Sequence, residues 1–494
     1  MGPVRLSSGC DGHVGWALPV TLGAVLVIVA RMEAQVPEPV PDVRLVLANP
    51  LPGDVMGAAV AGFGELAAVG VRGEDWPAPN CGGVVLYRRV AGSFESTSMQ
   101  APGLLADDEF GTAVALSSRW LVGGAPRRGP SGATFVSALV GGSVAPALEL
   151  RDPSAATGAR FGASLAVIGD WIAVGAPGDG VDGLGNAGSA RIFRRSGGAW
   201  VAGERLLPPV PVAGARFGSS VGASESWIAV GAPGAEGGTV YLFRVNGESI
   251  EFDEAVLPPG VQMGGWFGSS IALRGGRMVV GCPYANDSGP HAGLAIEYDL
   301  DQPTAALVRI LRPSAPSPGG NFGHSVAIGQ AGIIVGAPGW QRNGVRTGCA
   351  DVFLPTGTDA VARIVPPPDA GLCLAGSDVA FAAELALTGM PGCNGSRGEV
   401  AALDMGRDCN ENGIPDAADV ASGTSQDSDG NGVPDSCDCP ADLDGNGAVD
   451  GVDLGVLLAA WGVTATGSLG DLDRDGFVDG ADLGLFLAAW GPCG

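Results

Sequence analysis

The sequence contains no lysine. All 27 basic residues are arginine, against 52 Asp and Glu, which sets the net charge at −25. Histidine is nearly missing too, with three in 494 residues, and charged residues of all kinds make up only 16%. The absent lysine points to a GC-rich genome more than to a mechanism. With no basic patch, the chain lacks the electrostatic footprint of a nucleic-acid binder. Long apolar runs are also scarce. The longest, Ala17 to Ala30, follows Arg5 and precedes Met32-Glu33-Ala34. That run is short for a membrane span, and the pattern predicts a secretory signal over residues 1–34. Nine cysteines follow it, and in an exported chain some should pair. Cys373 with Cys393 and Cys409 with Cys437 are the pairs proximity suggests, and an odd count leaves at least one thiol unpaired.

What the chain has in quantity is glycine, 84 residues, beside 46% hydrophobic residues. That combination predicts a turn-dense, mainly β protein. The organising stretch is Phe161 to Pro177, FGASLAVIGDWIAVGAP. Ser164 to Val167 alternates small and apolar residues, as a half-buried strand does. Gly169-Asp170 supplies a turn. Trp171 to Val174 is a second, apolar strand, and Pro177 ends it because proline cannot donate to a ladder. The stretch recurs at Phe110, Phe217, Phe267 and Phe322, with worn copies starting at Met56 and Ala375. In all seven copies a glycine stands at the same distance from the first residue: Gly70, Gly124, Gly175, Gly231, Gly281, Gly336 and Gly389.

Those glycines recur at intervals of roughly 50 residues, the period of propellers and solenoids. Each unit offers four short strands, so seven units predict a seven-bladed β-propeller. Each four-stranded sheet has two apolar faces that only its neighbours can cover. The seventh unit has a third strand at Gly398 to Leu403 but no fourth. Val43 to Leu47 matches the missing strand, so residues 43–47 are expected to complete the last blade and remove an open edge. The repeat resembles the FG-GAP repeat of integrin α-subunit propellers over residues 43–404. That resemblance implies the fold and an adhesive or ligand-presenting ring. It does not extend to the calcium loops of integrin-type blades, because the link between the first two strands here is very short. Gly178-Asp179-Gly180-Val181-Asp182-Gly183 is read as a turn. Gly218-Ser219-Ser220-Val221-Gly222 matches GxSxG, but inside a repeat strand rather than at a strand-to-helix turn. His324 falls at a variable, surface position of the repeat. No catalytic constellation is visible.

From Arg407 the composition changes: the segment 408–494 holds 17 Asp and Glu against a single basic side chain, Arg474. Asp442, Asp444, Asn446, Asp450 and Asp453 occupy positions 1, 3, 5, 9 and 12 of a twelve-residue loop, with Gly447 turning at position 6 and the Ala448 carbonyl at position 7. Ca²⁺ takes six to eight hard oxygens, and this spacing wraps one segment around the ion. The loop recurs further along as Asp471, Asp473, Asp475, Asp479 and Asp482, with Gly476 turning and Phe477 at position 7. Each loop enters a short helix. Leu454, Leu457, Leu458 and Trp461, and then Leu483, Phe486, Leu487 and Trp490, form apolar stripes. The two helices are expected to bury Trp461 and Trp490 against each other.

Two loop-helix units of this kind resemble a dockerin domain over residues 441–494. The resemblance implies calcium and a cohesin-like or other protein partner. Positions 10 and 11 carry Gly451-Val452 and Gly480-Ala481 where familiar dockerins carry hydroxyl residues. Two further loops precede them: Asp408, Asn410, Asn412, Asp416 and Asp419, then Asp427, Asp429, Asn431, Asp435 and Asp438. No apolar helix follows either. They resemble thrombospondin type 3 calcium repeats over residues 405–440, a spacer wound on ions. Together the readings describe a secreted calcium-binding adhesion or scaffold protein, with an unknown protein or glycan ligand on the ring. The alternative is a secreted hydrolase of polysaccharide or phosphoester that uses the propeller as catalytic or accessory domain.

Overall fold

The computed structural model describes residue 38 and residues 43–75, 77–90, 93–140, 143–247, 249–260, 265–367, 370–406, 415–416, 419–420, 425–426, 441–443, 448–463, 470–472 and 476–492. The signal read at 1–34 lies outside them. The repeated hairpin is clearest in the third unit. Ser164–Ile168 pairs antiparallel with Trp171–Ala176, from Ser164 opposite Gly175 to Ile168 opposite Trp171. Gly169 turns the chain with a positive φ, a conformation that favours glycine. Ser189–Ser196 and Ala199–Leu206 add the third and outer strands. The second strands are buried over nearly their whole length, whereas the outer strands keep many exposed residues. Burial therefore falls from the inside of each sheet to its rim, which explains why the second strand reads as a continuous apolar run.

Seven such sheets form, numbered here as blades 1 to 7 in chain order of their first strands. Those first strands are Met56–Phe63, Ala113–Leu116, Ser164–Ile168, Ser220–Ala223, Ser270–Arg274, Ser325–Ile328 and Val379–Ala382. Each touches the next, and the seventh touches the first, so the sheets make a closed ring. Blade 7 is built from Val379–Ala382, Leu385–Met390, Glu399–Asp404 and, on its outer side, Val43–Leu45. Val43 lies opposite Ala402 and Leu45 opposite Val400. The paired strand is three residues long, shorter than the 43–47 expected. Its Leu45 is fully covered in the core between blades 7 and 1.

The repeat's signature residues stitch blade to blade. Phe110, Phe161, Phe217, Phe267 and Phe322 are all fully buried. Each makes a parallel bridge to the glycine before the third strand of the preceding blade, such as Phe217 to Gly188. At the worn copies, Ala375 bridges Gly348 and Met56 bridges Gly398, which carries the stitch across the closing seam. Burying one such Phe contributes roughly 2–3 kcal/mol. The glycine that ends each second strand answers a different constraint. A Cβ on Gly175 would run into the carbonyl oxygen of Gly218 in blade 4, and one on Gly389 into that of Gly57 in blade 1. Neighbouring backbones come too close for any side chain. Gly389→Ala should therefore cost about 3 kcal/mol through overpacking. Thermal unfolding of the variant measures this, and an unchanged midpoint would mean the blades can separate without penalty.

Cys373 and Cys393 form a disulfide beside blade 7. Cys81, Cys282 and Cys349 are buried thiols. Cys409 and Cys437 lie outside the described residues.

In the tail, α1 (Gly451–Ala459) and α2 (Gly480–Ala488) are flanked by two short ladders. Ala448–Val449 pairs with Gly491–Pro492, and Gly462–Val463 pairs with Phe477–Val478. Moving from one loop-helix unit to the other exchanges the two ladders, so the units are related by a pseudo-two-fold. Ala441, Val449, Leu457, Val478 and Phe486 form the small core. The tryptophans do not join it: Trp461 is 49% and Trp490 51% exposed, contrary to the expectation that the helices bury them. Each tryptophan follows the last turn of a short helix and sits at the margin of the core; Trp490 meets the Phe486 ring edge to face, 5.8 Å between centroids, and still stays half exposed. Leu458 and Leu487 are likewise about half exposed.

Candidate functional site

The acidic loops are the first candidate. In both tail units the aspartate at position 9 is the helix N-cap, and the one at position 12 completes a capping box. The Val452 N–H donates to Asp450 Oδ1 at 2.8 Å, and the Asp450 N–H to Asp453 Oδ2 at 2.9 Å. The second unit repeats this with Ala481 to Asp479 at 2.8 Å and Asp479 to Asp482 at 2.8 Å. Asp453 and Asp482 are completely buried, which an aspartate tolerates only with partners. Asp482 Oδ1 also accepts from the Leu472 N–H at 2.7 Å, so position 12 reaches back to position 2 and draws the loop shut.

Asp471, at position 1, accepts from the Gly476 N–H through Oδ2 at 3.1 Å. Among the described residues its Oδ1 is buried without a hydrogen-bond partner. A hard oxygen held inside an acidic loop, with no donor to it among the described residues, fits a calcium ligand. Asp471, Asp479, Asp482 and the Phe477 carbonyl would hold the ion in this unit, and Asp442, Asp450, Asp453 and the Ala448 carbonyl in the other. Asp444, Asn446, Asp473 and Asp475, at positions 3 and 5, lie outside the described residues. So do Asp408, Asn410, Asn412, Asp427, Asp429, Asn431, Asp435 and Asp438. Of the two upstream loops, Asp416 and Asp419 are described and both are buried. Asp416, Asp419 and Val420 are helical, where no apolar helix is expected from the sequence. Asp419 at position 12 is as fully covered as its counterparts Asp453 and Asp482. Among the described residues no group of three or more His, Cys, Asp or Glu is placed to hold a metal.

The ring's acids are differently employed. Asp179 in the Gly178–Gly183 loop is fully buried and accepts from Ala156 N–H, from the Ser189 hydroxyl and from Arg205 at 2.6 Å. Its oxygens hold the turn to the third and outer strands. Arg128 spans Asp108 at 2.7 Å and Glu149 at 2.9 Å. Arg363 grips Asp351 at 2.6 Å, and Arg309 grips Glu297 at 2.5 Å. Burial pushes the Asp152 carboxyl up, but Arg191 and Ser154 outweigh it and hold the group below its ordinary value. These carboxylates are locked to guanidinium groups. Removing one partner of such a buried pair typically costs about 3–5 kcal/mol.

The serine of the GxSxG match has a plain job. Ser220 donates to the Gly268 carbonyl of blade 5 at 2.7 Å. Ser164, Ser270 and Ser325 make the same bond to the next blade. Sequence reading missed this inter-blade role, although a serine at one offset after Phe-Gly in four copies was the available signal. His324 is exposed on blade 6, with Nδ1 3.2 Å from the Ser377 carbonyl. At the closing seam the serine's place is taken by Asp378, which accepts from Val60 N–H of blade 1 at 2.7 Å and from Val379 N–H at 3.0 Å. Burial pushes its carboxyl up to about 7, against those two donors. A raised folded-state value means the folded ring binds the extra proton. Stability should therefore fall as pH rises from about 4 to about 7. Asp378→Asn should remove that dependence. A wild-type-minus-variant stability difference that stays flat across this window would refute it.

These features define a seven-bladed β-propeller followed by a small loop-helix tail. The FG-GAP repeat family profile matches residues 149–193 and 200–243. Each matched unit begins on the outer strand of one blade and ends on the third strand of the next, the same offset that puts Val43–Leu45 at the start of the ring. No curated protein matches the chain. Among solved structures, it is similar to a putative 6-phosphogluconolactonase from Bacteroides uniformis, at 14% identity and a TM-score of 0.41, over 63% of this chain and 84% of that one. It is also similar to a prolyl endopeptidase structure at 15% identity and a TM-score of 0.42, over 71% of this chain and 47% of that one. Among the described residues no helix is long and apolar enough to cross a membrane.

Proposed function

We propose that the protein is an extracellular, non-catalytic adhesion or scaffold component whose ring presents a ligand-binding face and whose calcium-set tail docks it to a protein partner. The observation that carries the reading is the tail's surface. Leu458 and Trp461, with Leu487 and Trp490, are two-fold-related apolar residues left about half exposed beside acidic loops of calcium type. Exposed aromatic residues of this kind mark protein interfaces more often than free surface. Support for a non-catalytic ring comes from its serines and buried acids, which are engaged in holding blades together. Export is supported by the N-terminal segment and by the FG-GAP repeats.

The test uses the full chain secreted by its own host. With calcium present, the protein should stay on the cells or matrix, and chelation should release it. Trp461→Ser with Trp490→Ser should release it in calcium while the ring's thermal transition stays in place. Equal retention of that variant would sink the docking role.

A further inference from the structure

A cavity of about 330 Å³ opens between blades 3 and 4, on the side of the Gly169-Asp170 and Ser224-Glu225 turns. It exists because one repeat position has been truncated. Three positions beyond the Ser220 offset, the first strand carries Leu116, Val167, Leu273, Ile328 and Phe381 in five other blades. Each of these packs onto the preceding blade. Blade 1 has Gly62 there, pressed against the Phe381 backbone with no room for a Cβ. Blade 4 has Ala223, and the space that a larger side chain would fill is open.

The walls are chemically uneven. Ile172, Ile192 and Ile228 make an apolar floor beside Trp171. Ser224, which lines the cavity, is only 5% exposed, yet its hydroxyl has no hydrogen-bond partner among the described residues. A buried, unsatisfied hydroxyl is costly, which makes it a group waiting for a ligand atom. Asp170 pairs with Arg119 at 3.4 Å and accepts from Trp120 Nε1 at 3.2 Å. Arg194 lies over the Trp171 ring at 4.2 Å and is held by Glu204 at 2.7 Å and 2.8 Å. Glu225 at the mouth is exposed and has no ion pair among the described residues. The uncompensated charge at the opening is therefore negative.

We propose that this cavity binds a small organic cation with an apolar body, an alkyl- or aryl-ammonium group. The body rests on the isoleucine floor and Trp171. The ammonium lies by Glu225 and donates to the Ser224 hydroxyl. The size suits such a ligand, since small-molecule pockets begin at about 300 Å³.

The test titrates the full-length protein, in calcium, with 2-phenylethylammonium, 2-phenylethanol and phenylacetate, using calorimetry and saturation-transfer NMR. The cation should bind best and the anion worst. Glu225→Gln should weaken the cation about fivefold, the scale of an exposed ion pair, and leave the alcohol unchanged. Ala223→Leu restores the residue that blades 2 and 5 carry and should abolish binding of all three while leaving thermal stability equal or higher. Absence of binding to the wild type, undiminished binding to Ala223→Leu, or an alcohol that binds as tightly as the cation would overturn the assignment. The Glu225→Gln comparison stands on its own if the leucine variant fails to fold.

Discussion

Deleting residues 43–47 should destabilise the whole ring by about 5 kcal/mol, not only the blade from which the strand is missing. Three losses combine. The core between blades 7 and 1 loses Leu45, and an emptied leucine site costs about 2–5 kcal/mol. The outer edge of Glu399–Asp404 loses its ladder partner and becomes an open strand. The Tyr87 hydroxyl of blade 1, in a side chain that is almost fully buried, loses the Val46 carbonyl it donates to at 2.9 Å. Burial already pushes that phenol up to about 12. An orphaned buried donor costs about a further 1–3 kcal/mol. Because every blade leans on two neighbours, the damage should appear as one earlier, cooperative thermal transition, or as aggregation through the freed edge. A ring transition at the wild-type temperature would show that closure contributes little.

Removing calcium should unfold the tail and leave the ring intact. Among the described residues, Ala441, Val449, Leu457, Val478 and Phe486 are the fully buried core of the two loop-helix units, with Leu443, Leu454, Ala460, Leu472 and Leu483 partly buried against it, a small core to hold α1 and α2 against chain entropy. If the loops take calcium, the ion would offset the repulsion among their carboxylates. If the sites bind in the range of extracellular modules, about 10⁻⁴–10⁻³ M, free calcium at a hundredfold excess adds roughly 2.7 kcal/mol per site. For a core this small, two such sites decide whether it folds. Chelation should therefore abolish the helical circular dichroism of residues 441–492 while the β signal of the ring persists. Asp482→Ala should lose the second site and about half the calcium-dependent change. Helices that persist in chelator, or a titration that binds no ion, would refute calcium as the organising element.

The parts legible in the sequence are those set by local rules. An alternating strand, a Gly-Asp turn, an apolar strand and a closing proline need only their own neighbours, so each hairpin could be read from one line of residues. Counting the hairpins counted the blades, and the strand-like Val43 to Leu47 at the start matched the strand lacking at the end. The twelve-residue spacing of Asp442 to Asp453 and of Asp471 to Asp482 was legible for the same reason, because one continuous segment carries the whole pattern.

What needed the tertiary structure was every property shared between segments far apart in the chain. The glycine at the end of each second strand was visible as a constant, but its cause is a carbonyl of the next blade, most of a repeat further along the chain or, for Gly389, back at Gly57 in blade 1. The serine after Phe-Gly looked like strand filler or a weak nucleophile motif, and only the neighbouring blade makes it a strut. An apolar stripe ending in Trp461 and Trp490 suggested core, yet a stripe states only which face is apolar. The size of the opposing surface decides how much of that face is covered, and here two short helices leave Trp461, Trp490, Leu458 and Leu487 about half exposed. The cavity at Ala223 follows the same logic: a missing side chain has meaning only once the neighbouring wall it fails to touch is in place.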